Sequence, residues 1–183
     1  MIRSIVQYGH PVLRKNCRIV TEVTPTITEL VTDMLDTMVE AKGVGLAAPQ
    51  VGEDIRLAVI DVSHDPECIT FLTVNGQDAK LEDIMPLIFI NPELVLGQEK
   101  EFGMEGCLSI RGIRAEVKRP ETVTATLPQL DGSVLVIETD GLLARALQHE
   151  IDHLNGVLFV DRLPAVAKVS MRGRLKRLLE TDS

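Results

Sequence analysis

The chain has 183 residues, 45% of them hydrophobic and 25% charged, which excludes a disordered chain and fits one globular domain with long loops. A net charge of −8 and a pI near 5.0 exclude a general nucleic-acid binder, so no DNA partner is expected. No apolar run approaches a membrane span, and Arg3, Arg14, Lys15 and Arg18 break up the first twenty residues, so neither a membrane segment nor a secretory leader is expected.

In chain order, Ile27, Leu30, Val31, Met34, Leu35, Met38 and Val39 recur at helical spacing and predict a helix over 24–42, with Pro25 in its first turn and Gly43 at its cap. A glycine-punctuated loop, Gly43 to Gly52, follows. Strands are expected at 55–61, around Phe71 to Val74, at 87–91 up to Pro92, and somewhere within 93–105. The polar stretch at 76–85 reads as a loop near a cleft or as plain surface. Residues 122–127 and 134–137 read as a hairpin across Asp131-Gly132. A helix is expected from about Gly141 to Asn155, ended by Gly156, and another from about Pro164 to Leu179. Strands lie between helices without regular alternation. That indicates an α+β fold: antiparallel or mixed sheets around a central helix, flanked by an N-terminal and a C-terminal helix, as a single domain over 1–183.

The central helix carries the chemistry. Gln148-His-Glu-Ile-Asp-His153 contains H-E-x-x-H, and residues four apart are neighbours on one helix face. His149 and His153 can therefore offer two imidazoles to one metal ion, with Glu150 on the adjacent side, within reach of water on the metal. A catalytic site usually takes a third protein ligand and leaves a position for water. No histidine follows His153, and Asp161 suits a turn or cap, so Cys107 in Glu105-Gly-Cys-Leu-Ser109 is the better candidate. Cys17 and Cys68 read as packing residues. With three cysteines, an odd count, a reducing, cytoplasmic compartment with free thiols is expected. Gly43-Val-Gly-Leu-Ala-Ala48 fits a dinucleotide signature formally, but it follows a helix instead of opening one after a strand.

Three segments resemble the three signatures of bacterial-type peptide deformylases: Gly43-Val-Gly-Leu-Ala-Ala-Pro-Gln50, Glu105-Gly-Cys-Leu-Ser109 and Gln148-His-Glu-Ile-Asp-His153. Tyr8 to Arg14, Ile90 to Glu93 and Asp140 to Leu143 are also similar to that family. The resemblance implies a hydrolase that removes the formyl group from N-formylmethionine at the start of nascent polypeptides and releases formate, by attack of hydroxide held on the metal. It implies Cys107, His149 and His153 as ligands, Glu150 as general base and then proton donor, and the Leu108 N–H and Gln50 amide as oxyanion donors. It places Gly45 and its neighbours in strand-like pairing with the peptide, and Val44, Gly106, Arg114 and Leu143 in contact with substrate. Two departures stand out: Arg111, where relatives often carry proline, and the length of the 76–85 stretch.

Two imidazoles and a thiolate suit Fe²⁺, Zn²⁺, Ni²⁺ and Co²⁺ alike, and the resemblance implies Fe²⁺ as the working ion. The rival readings are an H-E-x-x-H zinc endopeptidase and an inactive peptide-binding relative. Residues 163–183 hold Lys168, Arg172, Arg174, Lys176 and Arg177 against Glu180 and Asp182. This basic end is either a solvated helix face or, as the resemblance implies, a contact for the ribosome.

Overall fold

The computed structural model describes residues 1–181, so Asp182 of the basic tail lies outside them. Among the described residues there are four α-helices: α1 (Pro25–Glu40), α2 (Leu81–Ile84), α3 (Gly141–Leu154) and α4 (Ala165–Thr181). The strands are β1 (Gly45–Ala47), β2 (Leu57–Ile60), β3 (Leu72–Val74), β4 (Gln77–Asp78), β5 (Leu87–Ile90), β6 (Glu93–Leu96), β7 (Lys100–Cys107), β8 (Ile110–Pro120), β9 (Val123–Pro128) and β10 (Val134–Thr139). They form a sheet ordered β1-β2-β5, a sheet ordered β4-β3-β10-β9-β6 and a ribbon of β7 and β8, all antiparallel. The fold is α+β, as the lack of regular alternation indicates.

Period-two alternation sorts the small sheet's side chains onto two faces. Leu46, Leu57, Val59 and Ile90 pack with Leu30, Val31, Met34 and Met38 of α1. Ala47, Ala58, Ile60 and Phe89 face the other way, into a core with Leu143, Leu147, Ile151 and Leu154 of α3 and Ala125, Leu127 and Ile137 of the larger sheet. Helix α3 is thus held at the centre by its apolar face. A third core joins Ile113, Ala115 and Val117 of β8 to Phe159 and, from α4, Met171 and Leu175.

The glycine-punctuated segment is more ordered than a loop. It contains β1 and a 3-10 turn at Ala48–Val51, ended by Gly52 at φ 88°. The 76–85 stretch holds β4 and α2, and Asn75 and Gly76, at φ 53° and 78°, make the tight turn before it. The Asn-Gly dipeptide carried that signal. The eleven residues of β8 are the main element that the sequence reading leaves out. Their alternating burial reads as polar overall, because Arg, Glu and Lys fill the outward positions. At the start of α3, the Asp140 side chain does not cap the helix. It accepts from the Thr70 N–H and hydroxyl, while Leu142 N–H donates to the Cys68 carbonyl at 2.8 Å.

Candidate metal centre

His149 and His153 sit one turn apart on α3, and Cys107 ends β7, where the ribbon register slips between Gly106 and Cys107. That slip re-aims the cysteine out of the regular ladder. Their donor atoms all lie within 4.8 Å of one another. His153 Nε2 is 3.3 Å from Cys107 Sγ and 3.2 Å from His149 Nε2. Tetrahedral ligands about 2.1 Å from an ion stand about 3.4 Å apart, close to the separations of these two pairs, so the three donors suit a bound cation. His149 Nδ1 donates to Glu105 Oε1 at 2.9 Å, which leaves its Nε2 facing the cluster. Burial disfavours charge on His149, but Cys107 and Glu105 overcome it and raise its pKa to about 10. Burial and the neighbouring His149 push His153 well below its ordinary value.

Glu105 is itself clamped. Arg119 Nε and Nη2 donate to its two oxygens at 2.7 and 2.9 Å, and Arg145 Nη1 donates to Oε2 at 2.9 Å. Burial works to raise the Glu105 pKa, but bonds from His149 and Arg119 outweigh it and lower it to about 2. Arg119 also reaches Asp152 at 2.8 Å, and Arg162 closes on Asp152 at 2.6 Å. The sequence reading contains Glu105 only as a flank of Cys107 and Asp152 only as an unassigned position within H-E-x-x-H, and it omits Arg119 and Arg145. No motif announces pairings made across fourteen to forty residues.

A cavity of about 540 Å³ opens beside the cluster, between Val44 and Gly45 on one side and Met104, Gly106 and Arg114 on the other. Glu150 faces it, 4% exposed, with Oε2 buried and lacking a hydrogen-bond partner. Burial raises its pKa to about 7. A β-carbon at Gly45 would overlap Glu150 Oε1 and lie 2.8 Å from its Cδ, so glycine is what lets the carboxylate fit. Gln50 is buried and oriented: its Oε1 accepts from Ala47 N–H at 2.9 Å, and its Nε2 points to Ser109 Oγ at 3.2 Å and Cys107 Sγ at 3.5 Å. Leu108 lines the cavity and packs against Gly43. Arg114 stands opposite Gly106 in the ribbon, and a β-carbon on Gly106 would come within 3.3 Å of its Cγ. Among the described strands, β1 pairs only with β2, so its other edge is open to an extended chain.

One expected position lies away from the cavity. Leu143 is fully buried in the core, and Leu142 lines the cavity in its place. Helical phase is the reason: Leu142, Ala146, His149 and His153 repeat at four, seven and eleven, while Leu143, Leu147, Ile151 and Leu154 form the core row. Asp161 takes the cap role expected of it, accepting from Leu158 N–H at 2.8 Å.

Comparison with known proteins then decides the family. The polypeptide deformylase family model matches residues 2–169. The chain belongs to the peptide deformylase family. A peptide deformylase of Methylacidiphilum infernorum is 43% identical over 178 residues, covering 97% of this chain and 93% of the relative. A peptide deformylase of Acidobacterium capsulatum is 41% identical, covering 97% and 96%. The crystal structure of a Legionella pneumophila peptide deformylase superposes with a TM-score of 0.81 at 36% identity, covering 100% and 98%. As a peptide deformylase, the chain is a metal-dependent hydrolase that removes the N-formyl group from nascent polypeptides. The endopeptidase and inactive-binder readings find no support.

Proposed function

We propose that the whole chain acts as one deformylase domain and that Cys107, His149 and His153 hold the metal, with Fe²⁺ as the working ion and Zn²⁺, Ni²⁺ or Co²⁺ able to replace it. The convergence of one sulfur and two ring nitrogens supports the ligand set, and their softness suits all four ions. When bound, the ion supplies Lewis acidity that makes water nucleophilic near neutral pH. One observation carries the reading: the Glu150 carboxylate at the cavity wall, whose buried Oε2 has no hydrogen-bond partner among the described residues. Its pKa near neutrality suits a group that takes a proton and gives it back. Glu150 accepts a proton from the attacking water and delivers it to the nitrogen as the formyl C–N bond breaks, giving formate and a free amine.

The Gln50 Nε2–H and the Leu108 N–H donate to the oxygen that gains negative charge. Gln50 is preorganised for this by the Ala47 N–H that holds its carbonyl end. The peptide pairs with the open edge of β1 at Gly45, near Gly106 and Arg114, and its methionine side chain lies between Val44 and Leu142. Formate release from formyl-Met-Ala-Ser tests the assignment: Glu150→Ala should lose at least about several hundredfold in rate. An unchanged rate refutes the role of Glu150. Anaerobically prepared protein should contain iron and lose activity in air, whereas nickel-loaded protein should persist, because thiolate beside Fe²⁺ is open to oxidation.

The enzyme is assigned to the cytoplasm, where nascent chains appear. Among the described residues, no helix is long and apolar enough to cross a membrane. Lys168, Arg172 and Lys176 repeat every fourth residue of α4 and line a groove with Tyr8. This row is assigned to the anionic surface of the ribosome. Replacing the three with Glu should abolish salt-sensitive co-pelleting with ribosomes, and unchanged pelleting removes the idea.

A further inference from the structure

Of the four hydrogen bonds that Glu105 accepts, the one from Arg145 differs in origin. Arg119 belongs to the same ribbon as Glu105, so their pairing holds the ribbon to itself. Arg145 stands on α3, one turn before His149, and crosses to the ribbon. It donates to Glu105 Oε2 at 2.9 Å, to the Val117 carbonyl at 3.0 Å and to the Glu101 carbonyl at 3.4 Å. Its guanidinium lies flat against Gly103 of β7, where any β-carbon would sit 2.6 Å from Arg145 Cζ and 2.7 Å from Nε and Nη2. The metal ligands come from the same two elements: His149 and His153 from α3, Cys107 from β7.

We propose that Arg145 is a positioning residue for the metal centre, admitted by Gly103, that ties the histidine helix to the cysteine strand and holds Glu105 where it fixes the His149 ring. The inference rests on Cys107, His149 and His153 being the ligand set. Glu105 has three rotatable bonds, and its grip on His149 Nδ1–H orients the opposite ring nitrogen. Without Arg145, Glu105 keeps Arg119 and His149, and Arg119 still reaches Asp152 of α3, but Glu105 loses the strap that fixes its Oε2 to the helix, so its hold on the His149 ring loosens.

The test is zinc affinity of the full chain by chelator competition. Arg145→Met, similar in length and uncharged, should bind zinc about 10- to 100-fold more weakly. Gly103→Ala should weaken it comparably while leaving the arginine in the sequence, because the methyl group evicts the guanidinium. The double variant should be no weaker than either single one. Arg145→Lys keeps a cation within reach of Glu105 and should recover part of the loss. Arg162→Met removes a cation that touches Asp152 and not Glu105, and should leave zinc affinity unchanged. Zinc affinity within about threefold of the parent in both Arg145→Met and Gly103→Ala overturns the proposal, as does an equal loss in Arg162→Met. Cys107→Ala runs alongside: loss of zinc there, with retention in the other two, refutes the positioning role and leaves the ligand set standing. Undiminished zinc in Cys107→Ala refutes the ligand set itself.

Discussion

Gly45→Ala separates two roles that one glycine plays. Gly45 does not need a positive φ, so alanine is permitted by the backbone. The three atoms nearest the added carbon all belong to the Glu150 side chain, with Cδ at 2.8 Å and Cγ at 3.0 Å. Carbon atoms in ordinary contact stand at least about 3.5 Å apart, so the carboxylate must withdraw by about 0.7 Å. A misplacement near 1 Å at a reacting group costs up to about 10²-fold in rate. Glu150 ends in a movable carboxylate, so the fold should tolerate the change and the melting temperature should hold within about 2 °C. The assay is formate release from formyl-Met-Ala-Ser across a substrate range, with metal content measured on the same sample. If Gly45 serves Glu150, kcat falls by about 10²-fold with KM little changed, and Gly45→Ala/Glu150→Ala is no slower than Glu150→Ala alone. A kcat within about threefold of the parent, or a defect confined to KM, refutes the steric argument and leaves Gly45 as a strand-pairing position only.

Leu142→Ala and Leu143→Ala should diverge. The first should raise KM for formyl-Met substrates at little cost in stability, and the second should cost about 2–5 kcal/mol in urea unfolding with KM retained, since only Leu143 is fully buried. Arg119→Met leaves Glu105 and Asp152 in the interior without their shared cation and should cost about 3–5 kcal/mol, read as a fall in melting temperature of about 10 °C. Burial raises the Cys17 thiol from 9.0 to about 11. Its folded pKa exceeds its unfolded one, so its contribution is whole below pH 9 and disappears between pH 9 and about 11, and thiol titration at pH 8 should label it last of the three cysteines. Early labelling in the folded protein contradicts that burial.

What was legible in the sequence was whatever repeats or recurs locally. The apolar period of α1 and α3 marked both helices within two residues of their ends. The H-E-x-x-H spacing placed two rings on one helix face because four residues make about one turn. Cys107 was reached through the chemistry of a missing third ligand and the glycine beside it. The place of Leu142 on the cavity was within reach of the sequence: the row that contains His149 runs through it, and counting back from the histidines in steps of three and four finds it. The Asn75-Gly76 turn was likewise there to be read.

The charge network was not legible, for a physical reason. A buried ion pair has no periodic signature. Arg119, Arg145 and Asp152 each look like ordinary polar positions on an exposed face, and only the closing of the ribbon over α3 turns them inward. Burying such charges is costly and replacing them with apolar groups often stabilises a fold, so a network of this size is poorly explained by stability alone. Its members converge on Glu105, and Glu105 holds one imidazole of the ligand cluster. Fixing a ring to a fraction of an ångström is work an apolar core cannot do, since dispersion contacts are nondirectional whereas a doubly held carboxylate has one low-energy orientation. The two strands and the helix thus spend their buried charge where the chemistry needs orientation. Elsewhere the core next to α3 is built from Ala, Leu, Ile, Val and Phe89.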